Sequence, residues 1–254
     1  MPWLLTLIWA FASQVGFAFP INVTTIRVGA PTVLAQLDIG QLKGELRQIG
    51  WSTDGAQLYV QTADGEPPRE TLRHFVVSVG SGVVTPTDQE PAWAQEYWAR
   101  KSDRTAPGAP MLEIDVKQTF ETKKIGTGTA GAIDGIERAG GNTIMSGNNL
   151  DRENQKQKLT VWRFSLFETT IGEFVNTRPI PGLTFSWGPR GTGAMAFTTD
   201  EGRLMFIDQE QHKQSVAGVK DAILPAWSLD GERLAYAVKT GRKKYKLVWC
   251  TITK

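Results

Sequence analysis

Two segments of the chain repeat one pattern. Ile49-Gly50-Trp51-Ser52-Thr53-Asp54-Gly55 leads into Leu58-Tyr59-Val60, and Pro225-Ala226-Trp227-Ser228-Leu229-Asp230-Gly231 leads into Leu234-Ala235-Tyr236. A third copy, Phe185-Ser186-Trp187-Gly188-Pro189-Arg190-Gly191, leads to Ala194-Met195-Ala196-Phe197. A fourth begins Pro91-Ala92-Trp93 and runs to Glu96-Tyr97-Trp98-Ala99. Tryptophans 51, 93, 187 and 227 are separated by 42, 94 and 40 residues, and the wide gap is close to two periods. A period of about 40–47 residues is that of a propeller blade. Within each unit a strand ends in Trp, Asp-Gly makes a tight turn because Gly accepts positive φ without steric cost, and an apolar strand returns. The indole then serves as a flat face for the neighbouring blade, and truncating it to Ala should cost about 3–5 kcal/mol.

β-type residues mark the strands of each unit. The first unit has 46–51, 57–62, 72–79 and 82–85; the second has 89–93, 96–100, 110–117 and 119–125. The unit at Trp187 has 183–187, 193–199, 203–208 and 214–217. The last has three, 223–227, 233–239 and 245–252, and Thr32 to Ile39 supplies its fourth, which closes a ring and hides sheet edges. Between them, 126–154 is rich in Gly, Asn and Thr before 159–166 and 171–175 resume as an outer pair. Either 132–147 holds two degenerate inner strands or the segment is a long loop. The expectation is an all-β propeller of four-stranded antiparallel blades, about five in number, with one degenerate at 126–158.

Trp227-Ser228-Leu229-Asp230-Gly231 with Leu234-Ala235-Tyr236, and next Trp51-Ser52-Thr53-Asp54-Gly55, resemble the blade element of the TolB-type, WD-repeat-like β-propeller family. Both lack the Pro that the family places before Asp-Gly. The resemblance runs from about 32 to 254 with a gap at 126–158. It implies an interaction scaffold of the periplasm or an accessory domain, and it specifies architecture far better than function. The six blades and extra amino-terminal domain usual for TolB do not fit this chain, so the TolB partners are not carried over.

Hydrophobic content of 41% with 21% charged residues reads as globular, and a net charge of +2 is too small to argue for nucleic acid or an anionic membrane. The only cysteine, Cys250, sits in a β-type run, which excludes an intrachain disulfide and points to a buried, inert thiol. Leu4 to Ala12 is apolar and Gly16-Phe17-Ala18 offers small residues at the cleavage positions, so 1–18 reads as a signal peptide, although no Lys or Arg precedes it. The rival, a retained anchor over Trp3 to Phe19, contains Ser13 and Gln14 and falls short of the usual ~20 residues. Cleavage near Ala18 implies a periplasmic or secreted domain, 19–254, with no stable membrane span.

Chemistry-bearing residues are sparse. His74 and His212, the only histidines, fall in an outer strand and a turn of different units, which argues against a metal site or triad. Gly126-Thr127-Gly128-Thr129-Ala130-Gly131 matches a dinucleotide fingerprint but precedes a poor helix, so a flexible loop is favoured and no cofactor is expected. Arg242-Lys243-Lys244 with Lys246 is the densest basic run, and only Tyr245 near it could stack a base. In an up-and-down blade, the connections 63–71, 86–90, 101–109, 126–158 and 240–244 gather opposite the Asp-Gly turns, and long loops on a rigid scaffold carry binding. The candidate binding residues are therefore Asp88, Glu90, Lys101, Arg104, Asp221, Arg242, Lys243 and Lys244. The leading expectation is a non-catalytic binding or scaffolding propeller of the cell envelope, with another envelope protein or a polymer as partner. The alternative is a carboxylate-based hydrolase or lyase, with Asp88, Glu90 and Asp221 preceding innermost strands at the channel mouth. A third reading is a structural relic without a ligand pocket.

Overall fold

The computed structural model describes residues 21–65, 69–102, 133–139, 142–151, 156–164, 169–177, 185–189, 192–199, 202–208 and 212–254. Four antiparallel sheets follow one another along the chain, and in three of them the strands add in sequence order. Sheet I comprises β3 (Glu45–Trp51), β4 (Gln57–Asp64), β5 (Thr71–Ser78) and β6 (Val84–Thr87). Sheet II comprises β7 (Ile133–Ala139), β8 (Asn142–Asp151), β9 (Lys156–Phe164) and β10 (Thr169–Thr177). Sheet III comprises β11 (Phe185–Trp187), β12 (Met195–Thr198), β13 (Leu204–Ile207) and β14 (Lys213–Ser215).

Sheet IV is assembled from both ends of the described chain. β15 (Ala222–Trp227), β16 (Arg233–Gly241) and β17 (Lys244–Thr253) form a meander, and β2 (Thr32–Asp38) pairs antiparallel with β17, Lys244 opposite Asp38 and Trp249 opposite Thr32. β1 (Arg27–Val28) continues along the same edge, Val28 opposite Ile252. The amino-terminal strand therefore supplies the fourth member of the last unit, as its three-strand pattern demanded, but the described sheets do not close into the expected ring. Just before it, the buried Asp208 carboxylate accepts the Val23 amide at 3.0 Å and the His212 amide at 3.0 Å, which pins the incoming chain to sheet III.

The alternation of β16 explains the layering. Side chains alternate across a strand, so Ala235 and Ala237 face one way while Leu234 and Tyr236 face the other. The alanines join the core shared with sheet I, against Trp51, Leu58 and Val60. Leu234 and Tyr236 join the core shared with sheet III, against Ala194, Ala196 and Phe206. Large residues on one surface meet small ones on the next, which lets the sheets pack closely.

One open choice closes and one expectation changes. Of the two alternatives at 132–147, the paired strands are present, Ile133 opposite Gly147 and Ala139 opposite Asn142, and not the long loop. The second unit does not begin with strands 89–93 and 96–100: Ala92–Ser102 is an α-helix. Its residues explain why. Ala, Gln, Glu, Arg and Lys are strong helix formers, no Gly interrupts them, and the Pro91 carbonyl accepts the Ala94 and Gln95 amides at its start. The strands expected at 110–117 and 119–125 lie outside the described residues. So do the glycine-rich 126–131 run and the segment 1–18 expected to be a leader.

Candidate functional site

The Trp-Ser-x-Asp-Gly turns are closed structural units. In the first, the Ser52 hydroxyl donates to Asp54 Oδ1 at 2.6 Å and accepts the Gln57 amide at 2.9 Å, while Asp54 Oδ1 also accepts the Ala56 amide. The last repeats it: Ser228 to Asp230 Oδ1 at 2.5 Å, Arg233 amide to Ser228 at 2.9 Å, Glu232 amide to Asp230. Gly55 and Gly231 take φ of 67° and 82°, as expected, but Asp54 and Asp230 stay at negative φ. The turn is thus a wider one ending in a left-handed Gly, not a two-residue Asp-Gly hairpin. The Ser52 hydroxyl, and then the Ala56 amide, hold the Asp54 carboxyl below its ordinary value. Every polar atom of the motif that these bonds engage is spent on the turn itself.

At the turn end, the helix Ala92–Ser102 links three sheets. Gly50 of β3 leaves room for it, since a Cβ there would lie 3.1 Å from the Tyr97 ring. The buried Tyr97 hydroxyl donates to the Trp227 carbonyl at 2.9 Å. Lys101, expected on an exposed loop, is instead buried; its ammonium donates to the Trp187 carbonyl and sits 5.4 Å from the Tyr97 ring centroid. Its position among the binding residues is corrected accordingly: its charge serves packing between the helix and β11. Asp88 and Glu90 precede this helix, not an innermost strand, and follow β6, the outermost strand of sheet I. Asp221 does precede β15, at φ 55°, with its carbonyl accepting the Lys239 amide. The three acids of the hydrolase alternative therefore do not share the position that reading required. Arg104 lies outside the described residues.

Glu90 belongs to a different neighbourhood. The Tyr59 hydroxyl bonds His74 Nδ1 at 2.6 Å and accepts Gln61 Nε2 at 3.0 Å, and the Trp93 ring meets Tyr59 edge-on at 6.4 Å. Burial pushes the Tyr59 phenol up to about 12, and the Glu90 charge adds to that push. His74 thus sits in a satisfied aromatic cluster of sheet I. Cys250 is buried, and burial raises its thiol to about 12, which keeps it protonated and inert. Among the described residues, no group of three or more His, Cys, Asp or Glu side chains is placed to hold a metal ion. No described helix is long and apolar enough to cross a membrane.

Two exposed features remain. A groove of about 1020 Å³ opens beside the last turn, lined in part by Pro189, Leu229, Glu232, Arg233 and Trp249. Sequence reasoning assigned that end to tight turns and did not anticipate a concavity there; the residue after each turn, such as Arg233, was the available signal. Arg233 is already engaged, 5.9 Å from the Trp51 ring centroid and 4.0 Å from Asp230. The other feature lies at the opposite end of the sheets. The Lys243 carbonyl accepts the Ile39 amide at 3.0 Å, and the Lys43 carbonyl accepts the Thr62 hydroxyl at 2.8 Å. Those bonds bring the 240–244 turn and the start of the 63–71 connection to one end, where Arg242, Lys243 and Lys244 are exposed.

No protein-family model and no curated protein matches the sequence. Among solved structures, the chain is similar to Sqt1 from Chaetomium thermophilum at 12% identity and a TM-score of 0.26, over 84% of this chain and 44% of that one. It is similar to the Dos1 propeller at 7% identity and a TM-score of 0.30, over 80% and 41%. A chain of the mitotic checkpoint complex aligns at 11% identity and a TM-score of 0.26, over 80% and 48%. The chain spans less than half the length of each. Superpositions this loose decide nothing about its function.

Proposed function

We propose that this chain is a non-catalytic binding or scaffolding β-propeller of the cell envelope, engaging its partner through the loop-rich end. The observation that carries the reading is the division between its two ends. At the turn end, the motif residues are bonded within their own turns and packed on neighbouring sheets. At the other end, the Arg242-Lys243-Lys244 turn stands exposed beside the chain entering and leaving sheets I and IV. A rigid scaffold with free groups at one end suits recognition, because ordering a partner there costs the scaffold little. The buried Tyr59 phenol and Cys250 thiol are held protonated by their surroundings, which suits packing rather than proton transfer.

The test is capture from an envelope fraction with the full chain, beside the charge-reversed variant Arg242→Glu with Lys243→Glu. A specific partner should be retained by the first and lost by the second. Failure to retain any partner at any salt concentration, or equal retention by both chains, overturns the reading.

A further inference from the structure

We infer that the loop-rich end binds an acidic polysaccharide. The inference rests on the binding reading above and adds the chemistry of the partner. Six cations from three separate segments meet there: Lys43, Lys220, and Lys239, Arg242, Lys243 and Lys244 of the β16–β17 hairpin, all exposed. The backbone fixes their proximity. Gly241 pairs with Lys244 across the β16–β17 turn, and Lys239 pairs with Tyr245. A Cβ on Gly40 would lie 3.7 Å from Lys243 Cδ, so that lysine lies across the short helix Ile39–Leu42 that ends at Lys43. The Lys239 amide donates to the Asp221 carbonyl at 3.1 Å, which brings in Lys220.

None of the six is in an ion pair with a carboxylate among the described residues. The nearby acids Asp38, Glu45, Asp64 and Asp221 are fewer, and Asp64 faces Arg73 at 3.9 Å, in a chain whose net charge is only +2. Farther along the same end, Arg47 bonds Glu70 at 2.5 Å, so the charges of sheet I cancel where those of sheet IV do not. Adjacent strands are about 4.8 Å apart, so the cations on β16, β17 and their turn lie within roughly one Debye length and their fields add.

The residue types choose between partners. Five of the six are lysines, flexible point charges without the planar fork that reads phosphate or carboxylate in two-point geometry. Protein interfaces deplete lysine and concentrate aromatic anchors, and single-stranded nucleic acid needs a stacking platform. Here Tyr245 is partly buried against the apolar core between sheets I and IV, which leaves neither an anchor nor a platform beside these cations among the described residues. A polymer with spaced anionic groups and hydroxyls needs neither.

Binding of a heparin fragment, a poly-glutamate peptide and a single-stranded DNA oligomer to the full chain, across a salt series, tests the inference. Two variants remove equal charge: Arg242→Gln with Lys243→Gln at the patch, and Arg27→Gln with Lys254→Gln elsewhere. The patch pair should weaken the heparin fragment about tenfold and lower the slope of log Kd against log salt by about two, roughly one per cation removed. The control pair should change neither by half as much, and both variants should keep the wild-type circular dichroism and melting temperature. No heparin binding at low salt, equal losses in both variants, or tighter binding of peptide or DNA overturns the inference. If heparin fails while a captured envelope partner is still lost in the charge-reversed chain, the loop-end reading stands and this one alone falls.

Discussion

The first and last Trp-Ser-x-Asp-Gly turns have the same internal hydrogen bonds, yet their tryptophans work differently. Trp51 Nε1 donates across sheets to the Ala226 carbonyl at 2.8 Å, a contact between residues 175 apart. Trp227 Nε1 donates within its own turn, to the Gly231 carbonyl at 3.0 Å, and its ring packs at 4.9 Å on Phe206 of sheet III. The glycines diverge as well. A Cβ on Gly55 would strike the end of the Arg233 side chain, whereas one on Gly231 would lie 2.4 Å from the Pro189 ring. The motif dictates its turn; what the turn rests on is dictated by the next sheet.

The largest effect that separates the two should come from removing the indoles. Trp51→Ala and Trp227→Ala should each cost about 3–5 kcal/mol in denaturant unfolding. Hydrogen exchange should tell them apart: Trp51→Ala exposes amides of Val60 and Phe75 in the sheet I core, and Trp227→Ala those of Phe206 in the sheet III core. Matching exchange maps would show that the two cores unfold as one. Next in size are the glycines. Gly55→Ala should cost about 1–2 kcal/mol for left-handed backbone, since the arginine end can swing away. Gly231→Ala should cost about 1–3 kcal/mol more, because the proline ring is rigid and must be displaced. Equal midpoints for the two variants would contradict the asymmetry.

The serines should erase the difference. Ser52→Ala and Ser228→Ala remove the same bonds, so thermal melts should show similar losses of about 1 kcal/mol. The smallest effect is acidic. Because the turn lowers the Asp54 carboxyl below its ordinary 3.8, its contribution is complete above that value and disappears as pH falls through the lower, folded one. Wild type should therefore lose more stability than Asp54→Asn as pH falls below the ordinary carboxylate value of 3.8. Parallel acid profiles would remove this role.

Much of the fold was legible because its signals are local. Trp at a strand end, Ser and Asp bonding within six residues and Gly at positive φ need no distant partner. Sheet IV was legible for another reason: three strands with a β-type β17 left an edge, and Thr32 to Asp38 was the unused strand that fitted it. The helix was misread because Pro91-Ala92-Trp93 matches Pro225-Ala226-Trp227, and that likeness outweighed the helix-forming residues after it. With it went Lys101, whose charge looked like a loop feature until the Trp187 carbonyl was found against it.

The candidate surface divides the same way. Arg242, Lys243 and Lys244 are adjacent in sequence and were found there. Lys43, Lys220 and Lys239 were not, because they join the patch only through Ile39, Gly40, Asp221 and the β16–β17 pairing. By itself, then, the sequence determined the turns, the strands between them and the need for an amino-terminal partner strand. Only the tertiary structure decided which sheet each tryptophan faces, that a helix follows sheet I, and that six cations share one end. The first set depends on bonds within a few residues; the second depends on packing between segments far apart in the chain, where no local pattern carries the information.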